Sequence, residues 1–132
     1  MEQTLAILKP EVLIDKQEDE IIALIKTSGF VIVKKKLLKL TKQQAQNLYI
    51  EHIGKNFFDS LVDYICSGFI LAMILEKENA VMLFRELMGG SDLAKNSSST
   101  LRFKYARNER ENAVHGSDSF ENAQIEIKLI FG

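Results

Sequence analysis

The chain has a single cysteine, a single proline, two histidines and almost no net charge. Cys66 alone excludes an internal disulfide and suits a reducing compartment. It falls in an apolar helical pattern and reads as core, not as a nucleophile. A formal charge of −1 provides no basic field to recruit nucleic acid. The longest apolar run, Phe69 to Leu75, is far too short to span a bilayer. Met-Glu-Gln-Thr at the start lacks the basic and apolar regions of a signal peptide. There is no internal repeat, no Gly-aromatic strand motif of the kind that stacks RNA bases, and no set of ligands that reads as a protein metal cage. A soluble, cytoplasmic protein with no membrane or nucleic-acid partner is expected. Its 132 residues, 46% of them hydrophobic, suit one domain, 1–132, around one core.

The pattern along the chain alternates strands and helices. Thr4 to Leu8 reads as a buried strand, ended by Lys9-Pro10. Glu18 to Ser28 is a helix with Ile21, Leu24 and Ile25 on one face, closed by Gly29. Phe30 to Val33 is a strand. Its continuation, Lys34 to Leu40, does not alternate cleanly, which a bulge or an edge position explains. Thr41 and Gln44 form a capping box ahead of a helix whose stripe is Ala45, Leu48, Tyr49 and His52. Asn56 is placed to cap another, with Phe58, Leu61, Val62 and Ile65 inward. Ser67-Gly68 turns the chain into an apolar strand, Phe69 to Glu76. Asn79 to Met88 is a helix with Ala80, Leu83, Phe84 and Leu87 inward, so Arg85 points away from the core. Gly89 to Asn112 has no clear period, and a segment that long is either functional or disordered. Strand, helix, strand, helices, strand, helix, short strand and helix make βαββαβ with additional helices. The fold class is α+β: an antiparallel ferredoxin-like sheet with helices packed on one face.

The chemistry concentrates in Asn112-Ala113-Val114-His115-Gly116-Ser117-Asp118-Ser119. Imidazole can attack phosphorus near neutral pH and leave again. Asp118 is placed to cap the last helix, with Glu121 completing a capping box. That helix carries Phe120, Ala123, Ile127 and Ile130 as a stripe, and Glu126 lies beside it. A carboxylate at the edge of a core needs a partner, and His115 is the candidate. On spacing alone a blander reading stands beside this one: a satisfied strand-end histidine and a surface carboxylate. Elsewhere, Phe57 falls off its helical stripe and is free to stack on a planar ligand. Ser91 and Arg102, in the aperiodic segment, offer a hydroxyl and a fork-shaped cation suited to phosphate oxygens.

The Asn-Ala-Val-His-Gly-Ser-Asp-Ser stretch resembles the active-site signature of nucleoside diphosphate kinases, and Ala-Ile-Leu-Lys-Pro-Glu resembles that family's opening strand. The likeness runs over nearly the whole chain. It implies the same fold and transfer of a γ-phosphate between nucleotides, in ping-pong fashion, through a phosphohistidine at His115. It further implies that Lys9 meets the transferring phosphate and, with Asn112, the ribose hydroxyls. Tyr49 flanks the histidine, Ser117 bonds Glu126, and Glu126 orients the imidazole. Phe57 stacks on the base; Arg85, Ser91 and Arg102 bind phosphates, the last two from a loop that closes over the nucleotide. Mg²⁺ arrives on the phosphates, and nucleoside tri- and diphosphates are the partners of a homo-oligomer or a part of a larger assembly.

The chain also departs from the family pattern. Glu11-Val12 stand where Asp-Gly is usual, Asn56 where proline is frequent, and Leu101-Arg102-Phe103-Lys104-Tyr105 where Ile-Arg-Gly-Asp-Phe is common. Many eukaryotic members continue past the position of Gly132 and use that tail in subunit contacts. The altered opening motif, the Leu-Arg-x-x-Tyr loop and the end at Gly132 resemble a divergent group found in ciliary axonemes. They imply an alternative: a weakly active or inactive module with a structural or nucleotide-sensing role there.

Overall fold

The computed structural model describes residues 1–132. Its centre is β1 (Glu2–Leu8), whose last five residues are all buried. Alternation along a strand sends successive side chains to opposite faces. Leu5 and Ile7 therefore join one apolar cluster and Ala6 and Leu8 another. The sheet has four strands in the order β2-β3-β1-β4, where β2 is Val31–Leu38, β3 Ile70–Lys77 and β4 Val114–Gly116. Every pairing is antiparallel. This is the expected ferredoxin-like arrangement.

Helices cover both faces, not one as expected from the pattern. Helices α1 (Pro10–Ile14), α2 (Glu18–Thr27), α5 (Ala80–Met88) and α6 (Leu101–Tyr105) contribute to the cluster holding Ala6 and Leu8. The cluster holding Leu5 and Ile7 takes in α3 (Lys42–Leu48), α4 (Phe58–Ile65) and α7 (Phe120–Phe131). The reason is in β1 and β3. Both are apolar on both faces, and such strands need cover on each side.

Several local expectations hold. Gly29, at φ +94°, follows α2, and the Phe30 amide reaches back to the Ile25 carbonyl, the left-handed helix ending that glycine favours. The lysines of β2 lie on an edge strand, and its register with β3 shifts between Ile32 and Lys34, the bulge that the broken alternation implied. Thr41 and Gln44 form the capping box.

Others are corrected. Asn56 caps nothing: α4 begins after Phe57, without a side-chain cap. Ser119, not Asp118, caps α7, its hydroxyl accepting the Asn122 amide at 3.0 Å. Phe120 is half-exposed, not part of the buried stripe, which starts at Ala123. His52 ends a single 3-10 turn, Ile50–His52, instead of continuing α3. Cys66 is half-buried at the end of α4, not core.

The aperiodic segment contains order that its pattern did not announce. Asn96 clasps Gly90 by two bonds, accepting its amide at 2.8 Å and donating to its carbonyl at 2.9 Å. Thr100 caps α6, with its hydroxyl accepting the Phe103 amide. Helix α1 was also unannounced, although Pro10 at its first position and Glu11 in its first turn are ordinary start signals. No helix is long and apolar enough to cross a membrane.

Phe84 links the core to the site. It is fully buried on α5, meets Phe30 edge-on at 5.8 Å between centroids, and lies under Gly116. A Cβ on Gly116 would come within 2.8 Å of the Phe84 ring, so β4 can lie this close only as glycine. Phe84→Ala should lower the unfolding free energy by about 3–5 kcal/mol, read from the shift of the urea midpoint at unchanged m-value.

Candidate active site

The site is built at the pairing of β4 with β1. Ala6 faces Gly116, Ile7 faces His115 and Leu8 faces Val114. The register sends Val114 into the core cluster on one face and turns His115 to the other. There α7 runs past, and its Glu126 meets the ring: Oε1 lies 2.8 Å from His115 Nε2. The same Oε1 accepts from the Ser117 hydroxyl at 2.8 Å, and Ser117 Oγ accepts the Leu5 amide at 3.4 Å. A carboxylate only accepts hydrogen bonds, so Nε2 carries the proton and Nδ1 keeps its lone pair. The expected ties among His115, Glu126 and Ser117 are thus present as hydrogen bonds.

His115 and Glu126 open onto a cleft of about 440 Å³ that Tyr49, Arg85, Ser91 and Arg102 also line, within the range of small-molecule sites. Tyr49 stands edge-on to the imidazole, 6.3 Å between centroids. Its hydroxyl is buried without a partner. Burial first, and the Glu126 charge second, push that phenol up and keep it protonated. Arg102 donates to the carbonyls of Gly89 and Val114, at 3.1 and 3.0 Å, and its Nε is buried without a partner. Burial and then the nearby Arg85 bring Arg102 down to about 10. Arg85 is exposed and reaches the Gly116 carbonyl at 3.4 Å. Two guanidiniums that repel each other beside unpartnered donors make an anion-seeking wall.

Four expected site residues, Lys9, Asn112, Phe57 and Ser117, do not line this cleft. Lys9 is buried and donates to Asn112 Oδ1 at 2.6 Å. Burial is the main cause that lowers Lys9 to about 7; Arg102 and Arg110 add to the effect and Glu11 opposes it. Asn112 is buried with it, its amide bound to the Glu109 carbonyl at 2.9 Å. Phe57 sits at the outer rim, its ring 5.4 Å from His52, with the Lys55 ammonium 5.7 Å away. Ser117 is fully buried behind Glu126. Sequence reasoning set His52 aside, yet it lines the cleft with Glu51, Asp118 and Asn122. It also passed over Glu11 as a mere departure from pattern. Glu11 is 2% exposed and accepts the Ala113 amide at 3.0 Å. The Pro-Glu start of a short helix was the available signal.

No group of three His, Cys, Asp or Glu side chains is placed to hold a metal ion. The donors of the cleft are mostly cations and a phenol, which suit a polyanion.

Lys9 makes stability depend on pH in a defined direction. Its folded value lies below its unfolded 10.5. Between about pH 7 and 10.5 the unfolded chain therefore binds more protons, so stability rises with pH through that window. From pH 7 to 9 the wild type should gain on the order of 2 kcal/mol relative to Lys9→Met, measured by urea unfolding of both proteins at each pH.

A family model described as nucleoside diphosphate kinase matches residues 2–132. The chain is 45% identical over 131 residues to a nucleoside diphosphate kinase of Persephonella marina, covering 99% of this chain and 94% of that one. Among solved structures it is similar to the nucleoside diphosphate kinase of Aquifex aeolicus, with a TM-score of 0.95, 34% identity, and 99% and 95% of the two chains covered. It is also similar to the halophilic enzyme of Halobacterium salinarum, solved in complex with CDP, with a TM-score of 0.93 and 32% identity over 98% and 87% of the two chains. With its histidine, carboxylate and cationic cleft in place, the chain belongs to the nucleoside diphosphate kinase family.

Proposed function

We propose that this nucleoside diphosphate kinase moves the γ-phosphoryl group of a nucleoside triphosphate to a diphosphate by way of a phosphohistidine on His115. The observation that carries this reading is the chain Leu5 amide, Ser117 hydroxyl, Glu126 carboxylate, His115 Nε2. It commits Nε2 to a bond and leaves Nδ1 as the nucleophile. In the first half-reaction the Nδ1 lone pair forms a bond to the γ-phosphorus. The bond from that phosphorus to the β,γ-bridging oxygen breaks, and its electron pair leaves with the diphosphate. In the second, a terminal oxygen of another diphosphate attacks the phosphorus and the pair returns to Nδ1. Imidazole serves because it both attacks and leaves well.

Phosphoryl transfer asks little of the protein beyond position and charge. Arg85 and Arg102 meet the phosphates, with the unpartnered Arg102 Nε and Tyr49 hydroxyl as ready donors. Ser91, on the exposed loop after α5, adds a hydroxyl. Lys9 and Asn112, bonded together beneath, support the ribose and the transferred group. Phe57 at the rim stacks on the base. Stacking tolerates any base, since each has a π-face.

The donor set fits a Mg²⁺ carried in on the nucleotide phosphates instead of one caged by side chains. Such an ion supplies neutralisation of phosphate charge. The free Cys66 thiol suits a reducing cytoplasm. Val31 and Leu37, more than half exposed on the edge strand β2, suit self-association. Residues 1–132 act as one domain. The axonemal scaffold draws no support from the relatives named above, which are nucleoside diphosphate kinases by name.

Incubation with γ-labelled ATP and Mg²⁺ should give an acid-labile, base-stable label on the wild type that chases onto added GDP. His115→Ala should take none. Glu126→Ala should label about 10²-fold more slowly while still binding nucleotide. Full transfer activity in His115→Ala would overturn the mechanism.

A further inference from the structure

The turn that delivers His115 is strained, and it is held from outside. Ala113 has φ +75°, in the left-handed region that a residue with a Cβ avoids. The Val114 amide donates to the Asn112 carbonyl at 2.9 Å. That bond spans two residues and closes a γ-turn of the rare, strained kind about Ala113. Local sequence does not favour this shape: alanine has no glycine freedom and no side chain to bond its own backbone.

Both polar groups of Ala113 are bound by the junction of β1 and α1. Its carbonyl accepts the Lys9 amide at 2.8 Å, and its amide donates to Glu11 Oε2 at 3.0 Å. Glu11 is itself tied down by burial and by a second hydrogen bond. It is almost fully buried on the first turn of α1, whose first position is Pro10. Its Oε1 accepts the Tyr64 hydroxyl from α4. A carboxylate is costly to bury, and this one is oriented so that each oxygen has a donor. The Tyr64 phenol is pushed up by burial and then by that bond, so it stays a donor.

We infer that Glu11 is a positioning residue for phosphoryl transfer: its carboxylate holds the γ-turn at Ala113 and so sets where the His115 imidazole stands. The inference rests on the phosphohistidine reading above. His115 is then held at both ends. Glu126 fixes the ring through Nε2, and Glu11 fixes the backbone two residues upstream. Attack requires Nδ1 at near-contact distance and in line with the departing oxygen, and small displacements are expensive in rate. Glu11 does not line the cleft, so its loss is expected to act on the chemical step and not on nucleotide capture.

Single-turnover labelling of His115 over a range of ATP concentrations tests this in four proteins: wild type, Glu11→Gln, Glu11→Met and Glu11→Met/Ala113→Gly. Methionine fills the volume without an acceptor; glutamine keeps an oxygen for the Ala113 amide. Glu11→Met should lower the saturating rate by about tenfold or more, with half-saturating ATP moving less than about twofold. Glu11→Gln should stay within about threefold of wild type, because the acceptor and not the charge matters. Glycine at 113 should recover part of the loss, since it takes positive φ unaided. A wild-type saturating rate in Glu11→Met, a loss confined to half-saturation, or Glu11→Gln as slow as Glu11→Met would each overturn the inference. Glu11→Ala replaces methionine if that variant does not fold, under the same criteria. Hydrogen exchange at the Ala113 amide separates the two claims, since it needs no nucleotide. Unlabelled wild type refutes the phosphohistidine, whereas an Ala113 amide still protected in Glu11→Met refutes the clamp.

Discussion

Three antiparallel residue pairs, Ala6 with Gly116, Ile7 with His115 and Leu8 with Val114, carry the site. A strand that short has little stability of its own. It is held because β1 is buried on both faces and cannot shift without exposing one of them. The pairing puts Val114 into the core, turns His115 to α7, and brings Ser117 back against the Leu5 amide. Lys9 follows directly at the end of β1, and its amide binds the turn that precedes β4. His115, the Glu126 carboxylate it meets and the buried Lys9 are therefore placed by one register. Gly116 completes the constraint, because only its missing Cβ lets β4 settle over Phe84.

Charge is arranged against itself in the same volume. Burial lowers both Lys9 and Arg102, and nearby cations lower them further, Arg85 acting on Arg102 and Arg102 on Lys9. Their hydrogen-bond partners are neutral: carbonyls of Gly89, Val114 and Gly116, and the Asn112 side chain. Carbonyls orient a guanidinium without neutralising it. An arriving polyphosphate relieves the repulsion and finds donors already aimed, so little reorganisation is left for the transfer step. Glu126 is a near carboxylate, but His115 and Ser117 both occupy its Oε1. That oxygen is thus committed to His115 and Ser117, while the Glu126 charge still acts on the Tyr49 phenol.

Much of this was legible from residue types and spacing. The His-Gly-Ser motif, the offset of Glu126 from its stripe, the capping box at Thr41 and the lysine-rich edge of β2 each follow from local rules that tertiary packing does not override. The misses share a different cause. Asn56, Asp118 and Ser119 are all competent caps, and which one serves depends on where the helix is anchored, not on its own chemistry. The short helices α1 and α6 run five residues each, too short for any period to show. Phe120 has the right spacing for a stripe, yet it stands at the first position of α7 and is half-exposed there. Cover on both faces of the sheet follows from β1 and β3 being apolar throughout, a property of strands together and not of any one helix. The roles expected of Lys9 and Asn112 came only from family resemblance, whereas Phe57 was also marked by its place off the helical stripe. The fold takes the first two beneath the cleft and leaves the third at its rim.

A nucleophile that must also leave poses a problem of balance. Fixing the imidazole helps attack, but a ring held only by its own hydrogen bond can swing about the bonds that join it to the chain. Here the constraint is divided between ring and backbone. Glu126 takes the ring nitrogen that does not react, and the β1–α1 junction takes the turn upstream. Neither contact touches Nδ1. On the proposed mechanism Nδ1 is thus positioned while staying free to take up phosphorus and to release it. For a reaction whose two half-steps are near mirror images, that symmetry matters more than tight binding of either form.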